Sequence, residues 1–151
     1  MKSTLLTLLI ASAFAAAPAL GHQGLEIGPN CGRVFELASK TTPHLEVAAK
    51  DGKFVIYVLD ADSKSMPLGD RTLAITAGER SKPEKLAVEK SGDTFTAPIP
   101  KGDEYPITFQ VREKEGAKPL TARMNYNAKP CPECNKPEWM CACGSTEKKS
   151  K

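Results

Sequence analysis

The chain has 151 residues, with 21 lysines and arginines, 18 aspartates and glutamates, and 6% aromatic residues. Positive and negative charges are nearly balanced, so the chain lacks the basic stripe of a nucleic-acid-binding protein. The small number of aromatic rings also gives little support for base stacking. Once a short leader is removed, about 130 residues remain, which is enough for one domain with a single hydrophobic core.

Residues 1–21 have the pattern of an export signal peptide. A single lysine supplies the positive charge at the start, residues 5–17 form the apolar stretch, and small residues follow where a peptidase would cut. Cleavage after Ala19 or after Gly21 fits the small-x-small rule, and the second cut is favoured because it leaves polar His22 first. The apolar run is too short to span a bilayer, so we expect no membrane span after signal removal. The sequence therefore predicts a periplasmic or secreted protein.

Apolar residues recur at every second position through most of the chain, which is typical of half-buried β-strands. Turn residues such as Asp51-Gly52 separate the alternating segments. We predict strands at residues 33–38, 44–49, 54–59, 71–77, 85–90, 94–97, 105–112 and 120–126. Seven or eight short strands indicate an all-β fold, an antiparallel immunoglobulin-like β-sandwich. The sandwich is expected to span residues 22–127, followed by an irregular Cys-rich C-terminal tail at residues 128–151.

The alternation also predicts which side chains form the core. In the second segment Leu45 and Val47 face inward, whereas His44 and Glu46 face outward toward solvent. The segment at residues 54–59 is β-branched and aromatic on both faces, which suits a central strand. We expect four further core positions, Ile56, Val58, Phe109 and Val111.

Four of the five cysteines fall within thirteen positions of the tail. Cys131, Cys134, Cys141 and Cys143 have the spacing C-x2-C-x6-C-x-C. Thiolates are soft ligands, and four of them can bind one Zn2+ tetrahedrally, whereas Cu+ takes a smaller number. A C-x2-C turn brings two sulfurs to one ion, and a C-x-C segment can do the same. The tail is therefore a predicted zinc or copper site.

Two other interpretations of these cysteines stay open. In an oxidising compartment cysteines usually pair, so Cys131 or Cys134 could form disulfides with Cys141 or Cys143. A redox-active thiol pair is the third interpretation, but the tail lacks the strand–helix setting of a thioredoxin-type C-x-x-C. Cys31 makes the cysteine count odd, and its simplest interpretation is a partly buried thiol without a role.

The two histidines suggest a second, nitrogen-rich metal site. A chain that begins at His22 offers its α-amine and its imidazole as a chelate, and the imidazole of His44 would add a third nitrogen. Three nitrogen ligands of this kind suit Cu2+. The alternative is that His44 is a surface side chain without a role.

No catalytic motif accompanies these candidate ligands. The sequence contains no serine in a G-x-S-x-G context, no Walker loop and no dinucleotide-binding fingerprint. Asp60, Asp62 and Asp70 lack the glycine and the terminal glutamate of a calcium-binding loop. We therefore expect that the protein is not an enzyme.

Three motifs give the chain a resemblance to a known group of proteins. They are His22-x-x-x-x-x-Gly28-Pro29-Asn30-x-Gly32-Arg33-Val34, Thr76-Ala77-Gly78-Glu79-Arg80-Ser81, and Cys131-Pro132-Glu133-Cys134 with Cys141-x-Cys143. Together they resemble small, uncharacterised exported bacterial proteins found near heavy-metal efflux systems. That group tends to have Gly-Gly after Pro-Asn, where this chain has Cys31-Gly32, so the resemblance gives Cys31 no role. It implies periplasmic residence and a link to metal handling, and it implies nothing about catalysis.

Two functions follow from these observations. The first is a periplasmic metal-binding protein that buffers or transfers copper or zinc through its C-terminal thiolate cluster. Its expected partners are the metal ion and a metal-efflux component or another periplasmic protein. The second is a non-enzymatic secreted interaction module whose cysteines form disulfides and whose edge strands bind a partner protein.

Overall fold

The computed structural model of the protein describes residues 25–37 and 43–143. Within those residues the chain forms nine β-strands and one short 3-10 helix at Glu138–Met140, and no helix there is long and apolar enough to cross a membrane. The strands make two sheets in which every pairing is antiparallel. The all-β prediction is confirmed, and the immunoglobulin-like connectivity stays a prediction.

The first sheet has five strands and the second has four. The order in the first sheet is β1 (Arg33–Glu36), β2 (His44–Lys50), β3 (Lys53–Leu59), β7 (Thr94–Pro98) and β6 (Glu89–Ser91). The order in the second sheet is β5 (Glu84–Leu86), β4 (Thr72–Ala77), β8 (Glu104–Arg112) and β9 (Leu120–Asn127). As its apolar sequence predicted, β3 lies at the centre of its sheet.

The hydrophobic core lies between the inner faces of the two sheets. Phe54 of β3 meets Phe109 of β8 and Tyr126 of β9 edge-on, with ring centroids 6.4 and 5.9 Å apart. The four positions predicted from the alternation, Ile56, Val58, Phe109 and Val111, are all completely buried. Those predictions are therefore confirmed.

The segment predicted as one strand at residues 85–90 is two short strands in different sheets. β5 pairs with β4 in the second sheet, whereas β6 pairs with β7 in the first, so the chain crosses between the sheets at residues 87–88. Leu86 and Val88 both pack against the core from either side of this crossing. The apolar period continues while the strand partner changes, and for this reason the prediction of a single strand is wrong.

Glu46 of β2 faces away from the core but is completely buried, so its predicted exposure is wrong. The loop at residues 28–32 covers it. Its Oε1 accepts hydrogen bonds from the backbone N–H groups of Asn30 and Gly32, and its Oε2 accepts one from Asn30 Nδ2, each at 2.8 Å. A Cβ atom at Gly28 would lie only 2.5 Å from Glu46 Cδ, so only glycine allows the loop to approach this closely. The Gly-Pro-Asn-x-Gly motif therefore folds over a buried carboxylate.

Candidate metal centre

The tail leaves the end of β9 and folds back on itself. Pro130 and Pro137 form an isolated antiparallel bridge, and the N–H of Glu138 donates a hydrogen bond to the carbonyl oxygen of Lys129 at 2.9 Å. These contacts close a loop that contains residues 131–136. The first two cysteines are thereby held on a defined turn.

Cys131 begins this turn, and backbone hydrogen bonds join it to the residues at the other end of the turn. Its carbonyl oxygen accepts a bond from the N–H of Asn135 at 2.9 Å, and its own N–H donates to the carbonyl oxygen of Lys136 at 2.8 Å. Asn135 has a φ of 57°, in the left-handed region that asparagine tolerates better than most residues. Hydrogen bonding from the backbone amides of Cys134 and Glu133 lowers the pKa of the Cys131 thiol. Two backbone donors therefore favour the thiolate form of Cys131.

Trp139 connects the other two cysteines to the core of the sandwich. Its side chain is 3% exposed and packs against the rings of Phe54 and Tyr126, at centroid distances of 5.9 and 5.8 Å. Arg33 Nη1 donates a hydrogen bond to the carbonyl oxygen of Trp139 at 3.3 Å. Because Cys141 follows two residues later, burial of this indole ring restricts where the Cys141 sulfur can lie.

The structure brings together the four sulfurs that were predicted to bind a metal. All four Sγ atoms lie within 4.8 Å of one another. The sulfur of Cys131 is 3.2 Å from that of Cys141 and 3.9 Å from that of Cys143, and the sulfurs of Cys134 and Cys141 are 3.7 Å apart. Cys131 and Cys141 are buried, whereas Cys134 and Cys143 are partly exposed. The cluster therefore has one side against the protein and one side toward solvent.

These distances are compatible with a metal cluster, and none of them is the length of a disulfide bond. A disulfide has an S–S length of about 2.05 Å, and no two of the described sulfurs are that close. Four thiolates at about 2.3 Å from a tetrahedral Zn2+ ion lie about 3.8 Å from one another. The three sulfur–sulfur distances lie on both sides of that value. The four cysteines are thus positioned to hold a metal ion.

The pKa values of three cysteines in the cluster are shifted, and the shifts differ in direction. Hydrogen bonds from the amide of Cys134, the thiol of Cys141 and the amide of Glu133 lower the pKa of Cys131 to about 7. At Cys141 the amide of Cys143 favours the thiolate, yet the hydrogen bond to Cys131 and burial together raise the pKa. Hydrogen bonds with Cys134 and then Cys141 raise the pKa of Cys143. Without a cation, Cys131 therefore loses its proton readily, whereas Cys141 and Cys143 keep theirs. A bound cation would favour the thiolate form of all its cysteine ligands.

The other predicted ligands lie outside this cluster. Cys31 is exposed, rather than partly buried as predicted, and it does not belong to the group of four sulfurs. His44 pairs with Glu36 at the edge between β2 and β1, and its Nδ1 is buried without a hydrogen-bond partner in the described part of the chain. His22 lies outside the described residues, so the Cu2+ site stays a prediction.

Two residues that support the cluster, Trp139 and Arg33, were not predicted. The tail has no hydrophobic period, so the alternation gave no reason to place Trp139 in the core. The residue type was the available signal, because tryptophan side chains are large and highly buried on average, and this is the only tryptophan in the chain. No feature of the sequence indicates the contact between Arg33 and the Trp139 carbonyl.

No protein-family model, curated protein or solved structure matches this chain. The function is therefore inferred from the site itself.

Proposed function

We propose that the chain is an exported, periplasmic metal-binding protein that buffers or transfers zinc or copper through Cys131, Cys134, Cys141 and Cys143. The observation that carries this proposal is the approach of all four sulfurs to within 4.8 Å of one another, with no two at disulfide distance. Four thiols this close would repel one another once ionised, and a soft cation removes that repulsion. The export signal pattern at residues 1–21, which lie outside the described residues, supports the periplasmic assignment.

The sulfur geometry favours Zn2+ over Cu+ as the bound ion. Four thiolates close to tetrahedral spacing suit Zn2+, whereas Cu+ takes fewer sulfur ligands. The partial exposure of Cys134 and Cys143 supports buffering or transfer. A molecule that receives the metal ion must first contact it, and Cys134 and Cys143 lie on the side of the cluster that faces solvent.

Titration of the reduced, metal-free protein with Co2+ tests the site directly. Tetrahedral Co2+ bound by thiolates absorbs visible light strongly, so coordination number and sulfur ligation are read from one spectrum. We expect saturation at one Co2+ ion per chain and displacement of that ion by Zn2+. Competition between Zn2+ and Cu+ for the same protein then identifies the preferred ion.

Two variants make this titration specific to the cluster. Cys131→Ser combined with Cys134→Ser should abolish the tetrahedral spectrum, because only two of the four sulfurs remain. Cys31→Ser is the matched control, since it removes an exposed cysteine outside the cluster, and its spectrum should equal that of the unaltered protein. A tetrahedral thiolate spectrum that survives the double substitution, or one that is lost in Cys31→Ser, would contradict the proposal.

A further inference from the structure

A cavity of about 400 Å³ lies at the end of the sandwich beside the metal centre. Leu25 and Trp139 give it apolar walls, and Arg33, Glu104 and Glu138 contribute charged groups. The volume falls within the range of about 300–1,000 Å³ that is typical of sites for small molecules. None of the cysteines lines it, so the cavity is a feature distinct from the thiolate cluster.

Arg33 brings to this cavity a positive charge that forms no ion pair within the described residues. A guanidinium has five N–H donors, and within the described residues the guanidinium of Arg33 makes one hydrogen bond, the 3.3 Å contact with the Trp139 carbonyl. Its Cζ atom lies 4.8 Å from the centroid of the Phe35 ring, and burial lowers its pKa. A half-buried guanidinium with free donors is a receptor for a carboxylate, which it can bind through two parallel N–H bonds.

Two glutamates line the same cavity, and neither forms an ion pair with Arg33. Glu138 Oε2 accepts a hydrogen bond from Asn127 Nδ2 at 3.1 Å, which fixes the position of that carboxylate. Glu104 lies 3.7 Å from the ammonium group of Lys129, an exposed pair that solvent screens. The glutamates would repel a simple anion, and Arg33 would repel a simple cation. The charges therefore favour a ligand that carries both signs.

We propose that this cavity binds a small zwitterion that carries an ammonium group, a carboxylate group and an apolar side chain. A free apolar amino acid and a very short peptide both have this chemistry. The carboxylate pairs with Arg33, the ammonium group lies at Glu104 and Glu138, and the apolar side chain covers the small exposed parts of Leu25 and Trp139 that line the cavity. This site uses no sulfur ligand, but it shares Arg33 and Trp139 with the contacts that hold the cysteine tail against the sandwich.

The fluorescence of Trp139 reports occupancy of the cavity, since this is the only tryptophan of the chain and it lines the wall. The mature protein is titrated with L-leucine, with isocaproate, which is leucine without the ammonium group, and with isoamylamine, which is leucine without the carboxylate. We expect a saturable change with leucine. Each analogue should bind at least about tenfold more weakly, the loss expected for one charge-assisted hydrogen bond. Binding of leucylglycine as tightly as leucine would identify a peptide ligand, and weaker binding a free amino acid.

Substitutions then assign each charge of the ligand to a residue. Arg33→Gln and Glu104→Gln should each weaken leucine binding at least about tenfold. The control Arg112→Gln removes an exposed arginine outside the cavity and should leave the affinity unchanged. The comparison of three ligands on the unaltered protein does not depend on whether these variants fold. The proposal is overturned by the absence of a saturable leucine signal, or by analogues that bind as tightly as leucine.

Discussion

Replacing Glu46 with glutamine tests how the loop at residues 28–32 is held on the sandwich. Glutamine keeps the size of the side chain but replaces one oxygen by an NH2 group, so the three 2.8 Å bonds cannot all persist. If Oε1 still accepts from Asn30 and Gly32, the new NH2 group either faces the NH2 group of Asn30 or makes that amide rotate to present its oxygen, and in both cases no bond to a charged oxygen remains. A hydrogen bond to a charged group contributes about 1.5–3 kcal/mol and a neutral one about 1 kcal/mol. We therefore expect the free energy of unfolding to fall by about 2–4 kcal/mol.

Urea-induced unfolding followed by circular dichroism measures this loss. Glu36→Gln is the matched control, because Glu36 is an exposed glutamate on the neighbouring strand β1. Its free energy of unfolding should differ from that of the unaltered protein by less than about 0.5 kcal/mol. A Glu46→Gln protein whose stability stays within the same margin would refute the view that the buried carboxylate holds the loop.

Core packing, thiol ionisation and the N-terminal site each allow a separate test. Phe109→Ala should lower the free energy of unfolding by about 3–5 kcal/mol because its ring is completely buried, whereas Thr108→Ala on the outer face should change it little. In metal-free protein the ultraviolet absorption of one thiolate should appear near pH 7, where Cys131 loses its proton, and Cys131→Ser should remove that step. Protons on Cys131 compete with the metal below about pH 7, and those on Cys141 and Cys143, whose pKa values are raised, compete at higher pH as well. Metal affinity should therefore fall on acidification throughout this range, and an affinity that is constant with pH would contradict thiolate ligation. Protein that begins at His22 should bind Cu2+ with nitrogen coordination seen by electron paramagnetic resonance, and His44→Ala should weaken that binding without changing the cysteine site.

The alternation of apolar residues predicted the strands and the core because a two-residue period reports directly which face of a strand is buried. It could not predict the burial of Glu46, which lies on the outer face and is covered by a loop from another part of the chain. The same limit applies to the crossing at residues 87–88, where the period is uninterrupted but the strand partner changes. The hydrophobic period indicates which face of one strand is buried. Which loop covers a strand, and which strand pairs with it, depend on the whole fold.

The spacing of the cysteines predicted the four members of the cluster, because a C-x2-C turn and a C-x-C segment each bring two sulfurs together locally. It left open whether the sulfurs form disulfides or a metal site. That distinction depends on distances between the two halves of the tail. These are set in part by the packing of Trp139 against Phe54 and by its contact with Arg33, which lie far from the tail in sequence. Contacts over such sequence separations leave no local pattern from which to predict them.

A joint count of metal ions and thiols in the exported protein tests the metal-binding function most directly. The protein is isolated from the periplasm without added metal, its bound ions are measured by elemental analysis, and its thiols are counted after unfolding in the presence of a chelator. We predict one Zn2+ or Cu+ ion per chain and five reactive thiols, which are Cys31 and the four of the cluster. Two disulfides, a single reactive thiol and no bound metal would contradict the proposed function and would favour the interaction module instead.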